Sequence, residues 1–272
     1  MNDCIAIFIV GSLLLVSAAA ATGSNNHISV DIHQEAEGNC VTGNVYIDQE
    51  TYAIANVQGD NNYVSQHIDA YANDNDLTSR NTPTGIIQIC TIVGNVTGND
   101  NHLKQSIEAN LINNSIIEGS LAQRAAQVAE IVGSNNDVHQ ETSVDSYDNK
   151  LTLSSLTQFS FLGASCLIGN NNWLDQRISQ STNHSSLTGS KLTQVAIGSA
   201  NLFGSNNDVD QQATINSNNA RLTFAQEYQE ILENATILGS GNSVTHNLAL
   251  NGSNNDIVVA SLTQKANMTT NL

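Results

Sequence analysis

Gly133-Ser134-Asn135-Asn136-Asp137-Val138-His139-Gln140-Glu141-Thr142-Ser143-Val144 reads as a sharp corner followed by a strand. Glycine and asparagine tolerate the left-handed backbone that a tight corner requires. From Val138 onward every second residue (Val138, Gln140, Thr142, Val144) belongs to one face, the period of two expected of a strand with one side buried. The reading becomes decisive because the phrase recurs. Its glycines are Gly23, Gly59, Gly98, Gly133, Gly169, Gly204 and Gly239; the asparagines three places on are Asn26, Asn62, Asn101, Asn136, Asn172, Asn207 and Asn242; the apolar residues two further on are Ile28, Val64, Leu103, Val138, Leu174, Val209 and Val244. A spacing of about 35 residues lies in the range of stacked units that bury their apolar surface only against neighbours.

Independent columns keep the same register. Glutamine follows the apolar position by two at Gln66, Gln105, Gln140, Gln176 and Gln211, with Val30 and His246 in the terminal units. A second glutamine column runs through Gln49, Gln88, Gln123, Gln158, Gln194, Gln229 and Gln264, and an apolar column through Val41, Leu77, Ile116, Leu151, Leu187, Leu222 and Ile257. Asn113-Asn114, Asp148-Asn149 and Asn254-Asn255 mark a second corner within the unit, before that apolar column. An extra stretch through Asn81 and Pro83 lengthens the second unit. Leu121 to Val132 is alanine-rich, but its alignment with Leu156-Thr157-Gln158 and Leu262-Thr263-Gln264 makes it a strand. The fold expected is an all-β parallel solenoid of seven repeats, each one coil or a pair of shorter coils.

In such a stack equivalent positions lie about 4.8 Å apart. Buried amides then donate and accept along the axis, each satisfying the next. The residues expected to form these ladders are the two glutamine columns and the corner asparagines Asn62, Asn101, Asn136, Asn172 and Asn207. Like charges stacked directly over one another are destabilising, which accounts for a charged fraction of only 12%.

The phrase Gly-x-x-Asn-x-Val with glutamine shortly after it, as in Gly59 to Gln66 and Gly133 to Gln140, resembles the curlin repeat of bacterial curli subunits. That resemblance extends over all seven units. It implies a β-solenoid lined by glutamine and asparagine ladders that polymerises into amyloid fibres. More loosely, the glutamine-rich, charge-poor composition resembles the amyloid-like sheath proteins of filamentous methanogens.

Cys4 to Ala21 is almost wholly apolar and ends in the small residues Ala18 to Ala21, the pattern of a secretory leader cleaved near Ala21. A retained N-terminal anchor is the other reading of residues 1–21, since about 18 residues approaches the length needed to span a membrane. Either places residues 22–272, a single solenoid domain, outside the cytoplasm: secreted, or at the cell surface. Sequons stand at Asn95, Asn113, Asn183, Asn234, Asn251 and Asn267, candidate glycosylation sites in an exported chain. Cys40, Cys90 and Cys166 occupy different offsets in their units, so they form neither a ladder nor a metal pair; they are small buried side chains, or one links neighbouring subunits.

With 25 acids against 8 bases the formal net charge is −17, which repels the phosphates of nucleic acid. The bases Arg80, Lys104, Arg124, Lys150, Arg177, Lys191, Arg221 and Lys265 are scattered and make no lyase-type cluster with acids, and no nucleophile elbow is present. No catalytic activity, metal or cofactor is expected. His33, His67 and His139 differ in offset and are expected to be isolated and solvated; Asp60, Asp137 and Asp208 are read as corner residues. The expected function is end-to-end self-assembly into an extracellular fibre or cell-surface sheath, a homopolymer with other cell-surface proteins or polysaccharide as further partners. The array starts close to the expected cleavage site and runs to its last residues, so no capping segment is expected. The alternative is a binding face for ice or polysaccharide, an adhesin, using the outward rank Thr42, Thr78, Thr152, Thr188 and Thr223, interrupted by Ile117 and Val258.

Overall fold

The computed structural model describes residues 11–42, 46–79, 84–258 and 261–271. Residues 1–10 of the leader segment and the stretch from Arg80 through Pro83 lie outside the described residues. The chain coils as a parallel β-solenoid in which each unit is one coil of three strands, not a pair of smaller coils. Sheet A holds eight long strands: β1 (Gly11–Thr22), β4 (Tyr46–Gln58), β7 (Thr84–Thr97), β10 (Gly119–Val132), β13 (Ser155–Ile168), β16 (Lys191–Phe203), β19 (Gln226–Leu238) and β22 (Ser261–Asn271). Sheet B holds seven: β2 (His27–Glu37), β5 (Tyr63–Asn73), β8 (His102–Ile112), β11 (Asp137–Tyr147), β14 (Trp173–Asn183), β17 (Asp208–Asn218) and β20 (Ser243–Ser253). Sheet C is a narrow third wall of seven three-residue strands: β3 (Cys40–Thr42), β6 (Asp76–Thr78), β9 (Ser115–Ile117), β12 (Lys150–Thr152), β15 (Ser186–Thr188), β18 (Arg221–Thr223) and β21 (Asp256–Val258). The alanine-rich stretch is strand β10, as its alignment requires.

Register is kept along the whole stack. Gln66, Gln105, Gln140, Gln176, Gln211 and His246 lie opposite one another in successive strands of sheet B, and Leu77, Ile116, Leu151, Leu187 and Leu222 do so in sheet C. Extra residues are absorbed locally. The second unit is three or four residues longer than the others, yet Gln49 still meets Gln88 and Gln66 still meets Gln105. A bulge in β13 shifts the pairing between Ala164 and Cys166 and takes up one further residue.

Each coil turns three corners, and each described corner places residues at positive φ. At the first corner these are the leading glycines Gly23, Gly59, Gly98, Gly133, Gly169, Gly204 and Gly239 and, two places on, Asn25, Asn61, Asp100, Asn135, Asn171, Asn206 and Gly241; at the second, Gly38, Asp74, Asn113, Asp148, His184, Asn219 and Asn254; at the third, among the described residues, Glu118, Leu153, Gly189 and Phe224. The first two use residue types that adopt this backbone at low cost. The third does so only at Gly189; Glu118, Leu153 and Phe224 are strained there, and Leu153 (62%) and Phe224 (66%) are exposed apolar side chains. The interior is thin. Columns such as Val64, Leu103, Val138, Leu174 and Val209 are fully buried or nearly so, and each such side chain contributes about 1.5–3 kcal/mol through removal from water.

Candidate functional site

The candidate site is the set of ladders. In sheet A, Gln88 Nε2 donates to Gln49 Oε1 (2.9 Å), Gln123 to Gln88 (3.0 Å), Gln158 to Gln123 (3.0 Å), Gln194 to Gln158 (2.7 Å), Gln229 to Gln194 (2.9 Å) and Gln264 to Gln229 (2.7 Å). In sheet B, Gln105 donates to Gln66 (3.2 Å), Gln140 to Gln105 (2.8 Å), Gln176 to Gln140 (2.8 Å) and Gln211 to Gln176 (2.7 Å). Every one of these amides except Gln264 is buried, a placement tolerable only when its polar atoms are paired. All ten bonds point the same way, from each unit back to the one before it.

The corner asparagines run in the opposite sense. The backbone N–H of Asn26 donates to Asn62 Oδ1, Asn62 to Asn101, Asn101 to Asn136, Asn136 to Asn172, Asn172 to Asn207 and Asn207 to Asn242, at 2.8–3.0 Å. The second corner repeats the pattern from Asn39 through Asn75 and Asn114 to Asn149 at 2.8–3.1 Å. All the ladder residues read from the sequence are therefore brought together. Along the axis the stack is polar: glutamines donate backward and asparagines forward.

Several features were not read from the sequence. Gln34, Gln127 and Gln180 are also buried and donate across the interior, to Glu50 O, Glu141 O and Val195 O. On the outer face of sheet B, His27, Tyr63 and His102 stack ring on ring, with centroids 4.8 and 5.0 Å apart. The histidines expected to be isolated have acidic partners: His67 lies 2.8 Å from Asp69, His139 3.1 Å from Asp175, and His33 3.9 Å from both Asp69 and Glu35. Two of these contacts join the same offset in adjacent units, His33 opposite Asp69 and His139 opposite Asp175; the other two join residues two apart on one strand, which share a face. Among the described residues no group of three or more His, Cys, Asp or Glu is placed to hold a metal ion.

In the last two coils the pattern changes. Glu227 and Glu233 take inward positions and are buried, and His246 stands where the sheet B ladder would place a glutamine. Among the described residues Gln211 Oε1 consequently has no partner. His246 Nδ1 lies 3.1 Å from Glu233 Oε2, and its Nε2 lies 3.0 Å from Thr270 Oγ1. Burial pushes the Glu233 carboxyl up to about 8, with the charge of Asp210 adding to the effect, and burial lowers His246 below its ordinary 6.5. A carboxyl whose folded value lies above its unfolded 4.5 loses stability as pH rises from 4.5 toward 8, because the unfolded chain gives up its proton first. A histidine held below 6.5 works in the opposite sense as pH falls through that value. Above pH 6.5 the histidine effect fades, and the raised carboxyls, Glu233 foremost and Glu227, also raised by burial, set the direction. Protection of the amides in β19, β20 and β22, their exchange measured against the unstructured chain at the same pH, is therefore expected to fall from pH 6.5 to 8, and Glu233→Gln to remove most of that fall; an unchanged pH response of the protection in the variant would contradict the assignment.

Cys40 is exposed and Cys90 is buried, its thiol pushed up to about 12 by burial; the Cys166 side chain lies outside those described. The six sequons do not share a face. Asn95, Asn234 and Asn267 belong to sheet A, Asn183 and Asn251 to sheet B, and Asn113 to the second corner. Asn113, Asn234, Asn251 and Asn267 are exposed; Asn95 and Asn183 are half-buried, and Asn95 donates to Asn56 Oδ1 at 2.9 Å. The outward rank in sheet C keeps its register, with Thr78 opposite Ile117 and Thr152, Thr188, Thr223 and Val258 in line. Its flanking rank is Cys40, Asp76, Ser115, Lys150, Ser186, Arg221 and Asp256, so the threonines stand in single file beside a charged row. No protein-family model, curated protein or solved structure matches this chain.

Proposed function

We propose that this protein is an exported structural subunit that associates end to end into an extracellular fibre or cell-surface sheath, with no catalytic role. The observation that carries the reading is the polar, constant-register ladder. The sheet A glutamines Gln49 to Gln264 and the first-corner asparagines Asn26 to Asn242 recur in all seven units, with the same donors on one side and acceptors on the other. The top of one array therefore complements the bottom of another in these two columns, although Val30 and His246 interrupt the sheet B ladder at the ends. A surface that complements itself by translation generates an open filament instead of a closed ring. Parallel strands perpendicular to the axis, with interdigitated apolar columns and amide ladders, are also the elements of cross-β stability. The resemblance to the curlin repeat points the same way. The binding-face alternative draws less support, since a single threonine rank bordered by Lys150, Arg221 and Asp256 offers no flat hydroxyl lattice.

Electron microscopy of the purified protein, with and without residues 1–21, should reveal unbranched filaments in at least one of the two forms, with a fibre reflection near 4.8 Å along the axis. Both forms staying as single chains by light scattering between pH 5 and 8 would overturn the reading.

A further inference from the structure

Among the described residues sheet A has eight strands and sheets B and C have seven each, and the odd strand is β1. Two observations set it apart, and a third goes with its place at the edge: Leu14 (55%) and Val16 (61%) are exposed on its outer side, continuing an outward apolar surface that β7 (Ile87, Ile89), β13 (Phe159, Phe161) and β16 (Val195, Ile197) also carry. The residue in register with Gln49 is Leu13, so β1 supplies no amide to the ladder. It also pairs residue for residue along β4, from Gly11 opposite Ile47 to Thr22 opposite Gln58, and covers the edge where the column should continue.

An unequal strand count has a geometric consequence. In a coil of fixed order, two copies stack with all three sheets continuous only if each contributes the same number of strands to every sheet. With β1 in place a second copy's β22 can reach only β1, and the second copy's β20 and β21 then fall one coil short of β2 and β3. Without β1, each sheet has seven strands and the strands of sheets A, B and C all meet at one spacing.

We propose that β1 is a removable plug that occupies the edge of β4 reserved for β22 of a second copy of this chain, and that its loss switches on head-to-tail stacking. This rests on the end-to-end reading above. The joint made by extending the observed columns is complementary in sheet A and at the first corner, while sheet B would set His246 over Val30. Gln49 would donate to Gln264 Oε1, continuing the six-bond series, and the Asn242 N–H would donate to Asn26 Oδ1. Leu262 and Met268, in inward columns but exposed at 39% and 57%, would lie over Ile47 and Ala53. Lys265, which follows Glu230 in its outward column, would meet Glu50, where β1 now sets Leu14.

Charge selects the same orientation. Residues 23–58 carry Asp31, Glu35, Glu37, Asp48 and Glu50 with no lysine or arginine, whereas residues 239–272 carry Asp256 and Lys265 as their only acid and base of those types. Tail on head therefore sets a near-neutral surface against an acidic one, while head on head would oppose five acids with five. The expected cleavage near Ala21 would remove nearly all of β1.

The test is the full chain carrying a sequence-specific protease site inserted between Thr22 and Gly23, with Leu14→Asn and Val16→Thr so that exposed apolar groups do not cause unspecific clumping. Light scattering and electron microscopy should find single particles before cleavage and filaments after it. Equal assembly before and after cleavage would overturn the plug while leaving end-to-end association standing; no assembly in either state would overturn both. Lys265→Glu in the cleaved protein should slow elongation about tenfold at low salt, and Glu50→Lys should restore it. A rate indifferent to both changes would refute the joint drawn here.

Discussion

Gln158→Ala is expected to destabilise the solenoid by about 4 kcal/mol, whereas Thr152→Ala should fall within about 0.5 kcal/mol of the parent. Gln158 is fully buried, and its amide donates to Gln123 Oε1, Val144 O and Ser181 O while its Oε1 accepts from Gln194 and from Thr182. Truncation opens a cavity and leaves Gln123 Oε1 and the Gln194 amide in a dry interior, each costing roughly 1–3 kcal/mol when unpaired. Thr152 is outward and half-exposed, so its loss removes little beyond strand propensity. For a chain of this size the larger figure corresponds to a drop on the order of 10 °C in melting midpoint. Gln140→Ala should behave like Gln158→Ala. Equal melting of the Gln158 and Thr152 variants would show that the amides are not paired along the axis.

The largest effect is expected at a corner. Gly133 has φ 146°, and a Cβ there would lie 1.8 Å from Gly98 O and 2.6 Å from its carbonyl carbon. Both are backbone atoms of the coil beneath, so the overlap is relieved only by separating two coils. Gly133→Ala should therefore cost more than about 5 kcal/mol, beyond the ordinary range of single substitutions, and divide the array into two blocks that protect their amides independently. Gly38 is the control: its φ is 67° but nothing lies within 4 Å of a Cβ there, so alanine meets only the left-handed backbone penalty of about 1–2 kcal/mol. Hydrogen exchange measured across Gly133 distinguishes the cases, and a cooperative, undivided Gly133→Ala array would refute the close-approach explanation.

Much of this architecture was legible because like stands on like. Gln66, Gln105 and Gln140 announce a column by identity alone, and Gly98 and Gly133 fix the corner that aligns it. The ladders follow from register and from the chemistry of an amide that both donates and accepts. Where identity fails, the pattern goes silent. Glu233 occupies the column of Ile92, Gln127, Leu162 and Gly198, six places before its corner glycine, so counting offsets would have placed it inside although its residue type argues for the surface. The third corner was hidden for a similar reason: Glu118, Leu153 and Phe224 are not residues that signal left-handed backbone. The strand β1 was obscured by its own composition, since an apolar run reads equally as a leader and as a strand buried on both faces.

The way extra residues are accommodated reaches beyond this one chain. The longer second unit and the bulge in β13 leave the columns on either side in register, so insertions are tolerated wherever a strand or corner can absorb them. By the same geometry, a whole unit duplicated or deleted between two equivalent glycines would restore every contact at the seam. The number of coils is thus a quantity that recombination within the gene can change in single steps without redesigning any surface.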